Sequence, residues 1–164
     1  VRVPKANLVG KRGGGFYQLM HFFDTTRVFV AAQGVGLAQA CLDESVKYCR
    51  ERTAFGMPLG AYQLSMKKLA EMWIQIEALR NITYKGALSL DSKKPDYHIS
   101  AMAKFFAGQT AVFCANAAVE LHGGYGYIDE YKVQKWYRDA KILELYEGTK
   151  EAEIMTLGRV LMSK

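Results

Sequence analysis

Three segments of this chain, each roughly 25 to 35 residues long, repeat apolar side chains at every third or fourth position, the period of a helix with one buried face. From Phe16 to about Arg52 that face carries Val28, Ala31, Val35, Ala38, Leu42, Val46 and Cys49. From about Ala61 to Leu90 it carries Leu69, Met72, Ile76, Leu79 and Thr83. The third segment starts near Asp96, where Met102, Phe106, Thr110, Phe113, Ala117 and Leu121 are expected to point inward. In it, Ala103, Ala107, Ala111, Ala115 and Ala118 are small enough to admit close neighbours. The breaks fall at Ala54-Phe-Gly-Met-Pro-Leu-Gly60, Asp91-Ser-Lys-Lys-Pro95 and His122-Gly-Gly-Tyr-Gly126, where proline or successive glycines end helices. A short helix over about Val133 to Leu145 and a last one from about Thr149 to Met162 flank the break Tyr146-Glu-Gly-Thr149. The expected fold class is all-α, an up-and-down four-helix bundle with a short extra helix. Residues 1–15 alternate apolar and polar residues before a Gly-rich run, and read as a strand end and loop leading into a bundle over 16–164.

A chain of 164 residues that is 50% hydrophobic has material for one packed domain. Its longest apolar stretches, such as Val28 to Val35, are short and interrupted, so no membrane span is expected. No segment has the layout of a secretion signal, which points to an intracellular protein, cytoplasmic or in the mitochondrial matrix of a eukaryote. Cys41, Cys49 and Cys114 are odd in number and lack metal-ligand spacing, as expected of reduced core thiols. The net charge of +6 comes from basic residues scattered among acidic ones, which suits phosphate-bearing small molecules better than nucleic acid. No His is preceded three positions earlier by Glu, so a di-iron bundle site is disfavoured and no metal is expected. Neither a phosphate-binding loop nor a G-x-S-x-G nucleophile elbow occurs.

Three constellations carry possible chemistry. In Glu51-Arg-Thr-Ala-Phe-Gly56, Arg52 could complement a helix dipole with Phe55-Gly56 as a hydrophobic stop, or it could fork onto a pyrophosphate with an aromatic ring alongside. The Gly123-Gly-Tyr-Gly126 loop could simply end a helix, or offer bare backbone amides to a phosphate or flavin edge. In Tyr146-Glu-Gly-Thr149 the glutamate sits on a break between helices, where it could be solvated or could project into a cleft as a base. Thr149 also reads as the N-cap of the last helix, with Glu151 in its first turn.

Taken in order, these pieces resemble the acyl-CoA dehydrogenase family over nearly the whole chain. The matching motifs are Val3-Pro4 to Gly10 with Gly15-Phe16, Asp24-Thr-Thr-Arg27, Arg52-Thr-Ala-Phe-Gly56 with Gln63, Gly123-Gly-Tyr-Gly126, and Arg138-Asp-Ala-Lys141 leading to Tyr146-Glu-Gly-Thr149. Each is weak alone, and their order and spacing make the set specific. The resemblance implies a longer enzyme whose amino-terminal helical and central β domains precede this carboxyl-terminal bundle, and a piece that is inactive alone. It implies a flavin adenine dinucleotide (FAD) cofactor and α,β-dehydrogenation of an acyl-CoA thioester to a trans-2-enoyl-CoA, as in β-oxidation. An electron-transfer flavoprotein would take the electrons, and the bundles would form the centre of a tetramer, a dimer of dimers. An acyl-CoA oxidase or enoyl-CoA reductase on the same scaffold, and a non-catalytic assembly module, are the alternatives.

The resemblance assigns the base to Glu147. A minority of the family places it on the first long helix at the position of Thr26, whose hydroxyl cannot serve without a base of its own. Arg52 would grip the pyrophosphate of a neighbouring subunit's FAD, with Phe55, Gln63, Gly123 and Gly124 beside it, and Thr149 and Glu151 would touch the subunit's own cofactor. Asp24, Arg27, Tyr146 and Gly148 would border the substrate. Glu120 departs from the family, where many relatives carry glutamine; it is expected among the cofactor residues as a protonated acid, a partner of a cation, or an acceptor from a hydroxyl or ring N–H.

Overall fold

The computed structural model describes residues 1–163. Helix α1 runs Gly15–Glu51, α2 Gln63–Leu90, α3 Tyr97–His122, α4 Val133–Ile142 and α5 Lys150–Met162. The expected bundle forms, with its helix bounds close to those read from periodicity. Helix α3 is the central element, packing on α1, α2, α4 and α5. Its N-terminus is capped by Asp96, whose carboxylate accepts from the His98 amide.

The buried surface of α3 is wider than the expected stripe: Thr110, Ala117 and Leu121 are buried and Phe106 packs against the core as expected, but two of its members turn outward. Met102 and Phe113 lie on the outside, 43% and 40% exposed, while Ala103, Ala107, Ala111, Ala115 and Ala118 are fully buried. Small side chains win this face because a central helix must approach neighbours on several sides at once. A Cβ built on Gly34 of α1 would lie 2.8 Å from Ala107 Cβ, so the two backbones cross almost in contact. The stripes of α1 and α2 behave as expected: Val28, Ala31, Ala38, Leu42 and Cys49 are buried against Met72, Ile76 and Leu79. Burial of each of the last three stabilises the fold by about 2 kcal/mol. The Thr83 hydroxyl closes onto the Leu79 carbonyl at 2.8 Å, which explains a threonine in an apolar stripe. All three cysteines are buried and unbridged, and burial pushes the Cys41 and Cys114 thiols up to about 12, which makes them inert packing groups.

Among the described residues, 5–7 make a 3-10 turn where a strand end is expected, and the one sheet is the two-stranded hairpin after α1. The break after α1 is more ordered than a stop signal. Strands β1 (Thr53–Ala54) and β2 (Met57–Pro58) form an antiparallel hairpin whose two central residues, Phe55 and Gly56, have φ of +51° and +84°. Positive φ at both positions is the geometry that matches the twist of a two-residue hairpin. It leaves the Phe55 ring 98% exposed. Among the described residues no helix is long and apolar enough to cross a membrane, and no group of three His, Cys, Asp or Glu side chains converges on a metal position.

Candidate active site

The segment from Leu143 to Thr149 is a tight turn between α4 and α5, pinched by the Lys150 amide donating to the Glu144 carbonyl at 3.2 Å. Within it Glu147 has φ +55° and Gly148 φ +103°. The left-handed region is costly for a residue with a Cβ and persists only where surrounding contacts enforce it. Here they do. The Glu147 carbonyl accepts from Arg27 Nε at 3.4 Å, and the Gly148 carbonyl accepts from Lys104 Nζ. The half-buried Glu147 carboxylate accepts from the Thr26 hydroxyl at 2.5 Å. The fold therefore brings together residues 26 and 147, which lie 121 positions apart in the chain. Tyr146 donates its hydroxyl to Gln33 Oε1 at 2.5 Å, fixing the turn to α1 from its other side.

Arg27 is held among three partners: Asp24 at 3.1 Å, the Glu147 carbonyl, and the carboxylate of Glu153 at 3.0 Å. Its side chain is only 13% exposed. Asp24 is more open, and burial raises its pKa while Arg27 opposes the shift. Thr149 is the N-cap of α5, accepting from the Ala152 amide at 3.3 Å, with Glu151 exposed in the first turn. Lys104 and Glu153 were not singled out in the sequence. A lysine in an alanine-rich helix and a second glutamate in a first turn both pass as surface residues, and only burial at 1% and 0% exposure marks them.

The remaining site residues gather elsewhere. Arg52 closes α1, its guanidinium carbon 5.3 Å from the centre of the Tyr125 ring, beside a cleft of about 560 Å³ that Glu120, Gly123 and Gly124 also line. Gly123, at φ +59°, is the C-cap of α3. Phe55 and Gln63 border an adjacent groove that shares Leu59 with this cleft. Glu120 turns to a cation: Lys68 Nζ and Asn116 Nδ2 both donate to it, and these bonds, Lys68 foremost, hold its carboxyl below the usual range. Beneath the cleft His122 is buried, stacked 4.1 Å from Tyr48 and bonded through Nδ1 to the Ala118 carbonyl at 2.8 Å. Arg27 and Arg52 are 25 positions apart along α1 and its C-cap, about 38 Å at 1.5 Å per residue, so the two groups of residues lie well apart.

The model of the acyl-CoA dehydrogenase C-terminal domain matches residues 13–162. The chain belongs to the acyl-CoA dehydrogenase family. It is 43% identical over 162 residues to the short-chain specific acyl-CoA dehydrogenase of Megasphaera elsdenii, covering 99% of this chain and 42% of that protein. It is 39% identical over 164 residues to the caffeyl-CoA reductase-Etf complex subunit CarC of Acetobacterium woodii, covering all of this chain and 43% of that one. The structure of butyryl-CoA dehydrogenase from Megasphaera elsdenii superposes with a TM-score of 0.94 at 43% identity, over 98% of this chain and 42% of that one. The chain thus spans well under half the length of these acyl-CoA dehydrogenase relatives.

Proposed function

We propose that this chain supplies the base and part of two cofactor grips of an FAD-dependent acyl-CoA dehydrogenase, which converts an acyl-CoA thioester to a trans-2-enoyl-CoA. The observation that carries this reading is the Glu147 turn: a carboxylate held at positive φ between two helices, with one oxygen bonded to Thr26. That bond orients the side chain and leaves Oε1 with its lone pairs to take the proton from the carbon next to the thioester carbonyl. Asp24, Tyr146 and Gly148 border the place a substrate would occupy, while Arg27, already engaged, acts on the turn rather than on coenzyme A. Thr149 and Glu151 lie at the start of α5, where they would meet the subunit's own cofactor.

The residues present fit FAD. Arg52 offers an exposed guanidinium for a pyrophosphate, Gly123 and Gly124 offer backbone free of side chains, and the Phe55 ring stands out from its hairpin for a partner to cover. Lys68 answers the one unfavourable charge, Glu120. Bound there, FAD would supply the hydride acceptor. Two groups of proposed site residues set 25 positions apart along α1 support a homo-oligomer, a tetramer built as a dimer of dimers, in which Arg52, Phe55 and Gln63 reach a neighbour's flavin. An electron-transfer flavoprotein is the proposed acceptor of the electrons.

A second reading, net reduction of an enoyl thioester by the same residues, is favoured by the similarity to the caffeyl-CoA reductase subunit. In either direction Glu147→Gln in the full-length holoenzyme should retain flavin and lower kcat by roughly 100- to 10,000-fold. Unchanged turnover would remove Glu147 from the mechanism and leave a non-catalytic assembly module. Anaerobic bleaching of the oxidised flavin by acyl-CoA, against reoxidation of the reduced flavin by enoyl-CoA, sets the net direction.

A further inference from the structure

Under the Glu147 turn lies a buried group of charges contributed by three helices: Arg27 from α1, Lys104 from α3 and Glu153 from α5. Lys104 is 1% exposed and Glu153 fully buried. Burying such groups costs several kcal/mol each unless they are paired, and a helix that needed only packing would carry apolar residues there. Glu153 is not used as an ordinary acceptor, since neither carboxyl oxygen has a hydrogen-bond donor aimed at it although Arg27 Nε stands 3.0 Å away. Its carboxylate instead fills the space beside Gly148 that a side chain would need: a Cβ there would fall 2.3 Å from Glu153 Oε1. Lys104 and Arg27 complete the clamp by donating to the carbonyls of Gly148 and Glu147.

We infer that Lys104 and Glu153 are positioning residues for the base: with Arg27 they clamp the two carbonyls and the bare Cα of the turn, so that Glu147 is kept at positive φ with its carboxylate against Thr26. The inference rests on Glu147 being the base. Glu153 also explains why a glycine follows the base, because any side chain at 148 would collide with it. Burial disfavours the charged forms of both groups, raising the pKa of Glu153 and lowering that of Lys104, and mutual attraction with Arg27 and Glu153 respectively opposes each shift. The charges of Lys104 and Glu153 therefore favour one another across the turn.

Lys104→Met and Glu153→Gln, made separately in the full-length holoenzyme beside Glu147→Gln, test this. A base displaced by about 1 Å loses on the order of 100-fold in rate. The expected result is flavin content and oligomeric state as in the parent, KM within about threefold, and kcat lower by roughly 10- to 100-fold. The kinetic isotope effect for α-deuterated substrate should also rise as proton removal becomes limiting. A merely structural role would lower flavin content and leave the isotope effect of the surviving holoenzyme unchanged. That result, or kcat and isotope effect within about twofold of the parent in both variants, overturns the inference. Should Lys104→Met fail to hold flavin, the isosteric Glu153→Gln decides alone; if neither holds flavin, both are scaffold residues and the inference fails. A silent Glu147→Gln brings down the base assignment and the clamp together, whereas an inactive Glu147→Gln with silent Lys104 and Glu153 variants brings down the clamp alone.

Discussion

At Glu147 a backbone conformation that costs a non-glycine residue about 1 to 3 kcal/mol is held by hydrogen bonds to its own and its neighbour's carbonyl. Strain kept in this way aims a side chain, and here it aims a carboxylate at the Thr26 hydroxyl. His122 shows the same economy of space with a different outcome. Burial is the main cause lowering its pKa from 6.5, opposed by its bond to the Ala118 carbonyl and by Glu44. The unfolded chain therefore binds a proton more readily than the folded one. Stability from this group is present above pH 6.5 and is lost as the pH falls through the lower folded value. Melting temperatures measured from pH 8 to pH 5 should accordingly drop on the acid side, and His122→Gln should flatten that drop; an identical acid limb in the variant would clear His122. Neither role is visible from residue type. A glutamate before glycine marks a turn in the sequence, whereas its partners come from positions 26, 27 and 104, supplied by other helices.

The crossing of α1 over α3 depends on glycine and alanine rather than on large apolar residues. Gly34 and Gly36 lie two positions apart on one helix, and their surroundings are opposite. A Cβ at 34 would meet Ala107, while one at 36 meets nothing within 4 Å. Gly34→Leu should therefore force the helices apart and destabilise by about 1 to 3 kcal/mol. Gly36→Ala should stabilise by about 0.5 to 1 kcal/mol, because only the entropy of the unfolded backbone changes. Thermal unfolding of the two variants reads both signs, and a tolerated leucine at 34 would show that the crossing is looser than described. Periodicity located the helices and their stripes but misplaced Met102 and Phe113 at the margin of the buried face of α3. The count of apolar residues favours Met102 and Phe113, and close approach favours the alanines. The hairpin at Phe55-Gly56 escaped as well, since a four-residue ladder is too short to show alternation.

On the scale of the molecule, α1 joins two groups of proposed site residues, with Arg27 a third of the way along it beside the Glu147 turn and Arg52 at its C-cap beside the cleft of Gly123 and Gly124. Such a division predicts separable defects. Arg52→Ala in the holoenzyme should weaken FAD retention by roughly 10- to 100-fold, as expected for a lost charge-assisted bond, with kcat per bound flavin kept. Glu147→Gln should do the reverse. Flavin held as tightly by Arg52→Ala as by the parent would remove the cleft from cofactor binding. Large apolar side chains such as Trp73, Ile74 and Leu88 stand 62%, 67% and 72% exposed, a surface that suits further protein covering it. Helix positions, the cap at Thr149, the family and the turn that carries Glu147 were all legible in the linear chain, because each depends on local period, local chemistry or a short motif in order. The burial of Lys104 and Glu153, the pairing of Glu120 with Lys68 and the meeting of Thr26 with Glu147 were not. They join residues 44 to 126 positions apart, and only packing the helices together brings such groups within hydrogen-bonding distance and removes the water that would otherwise screen them.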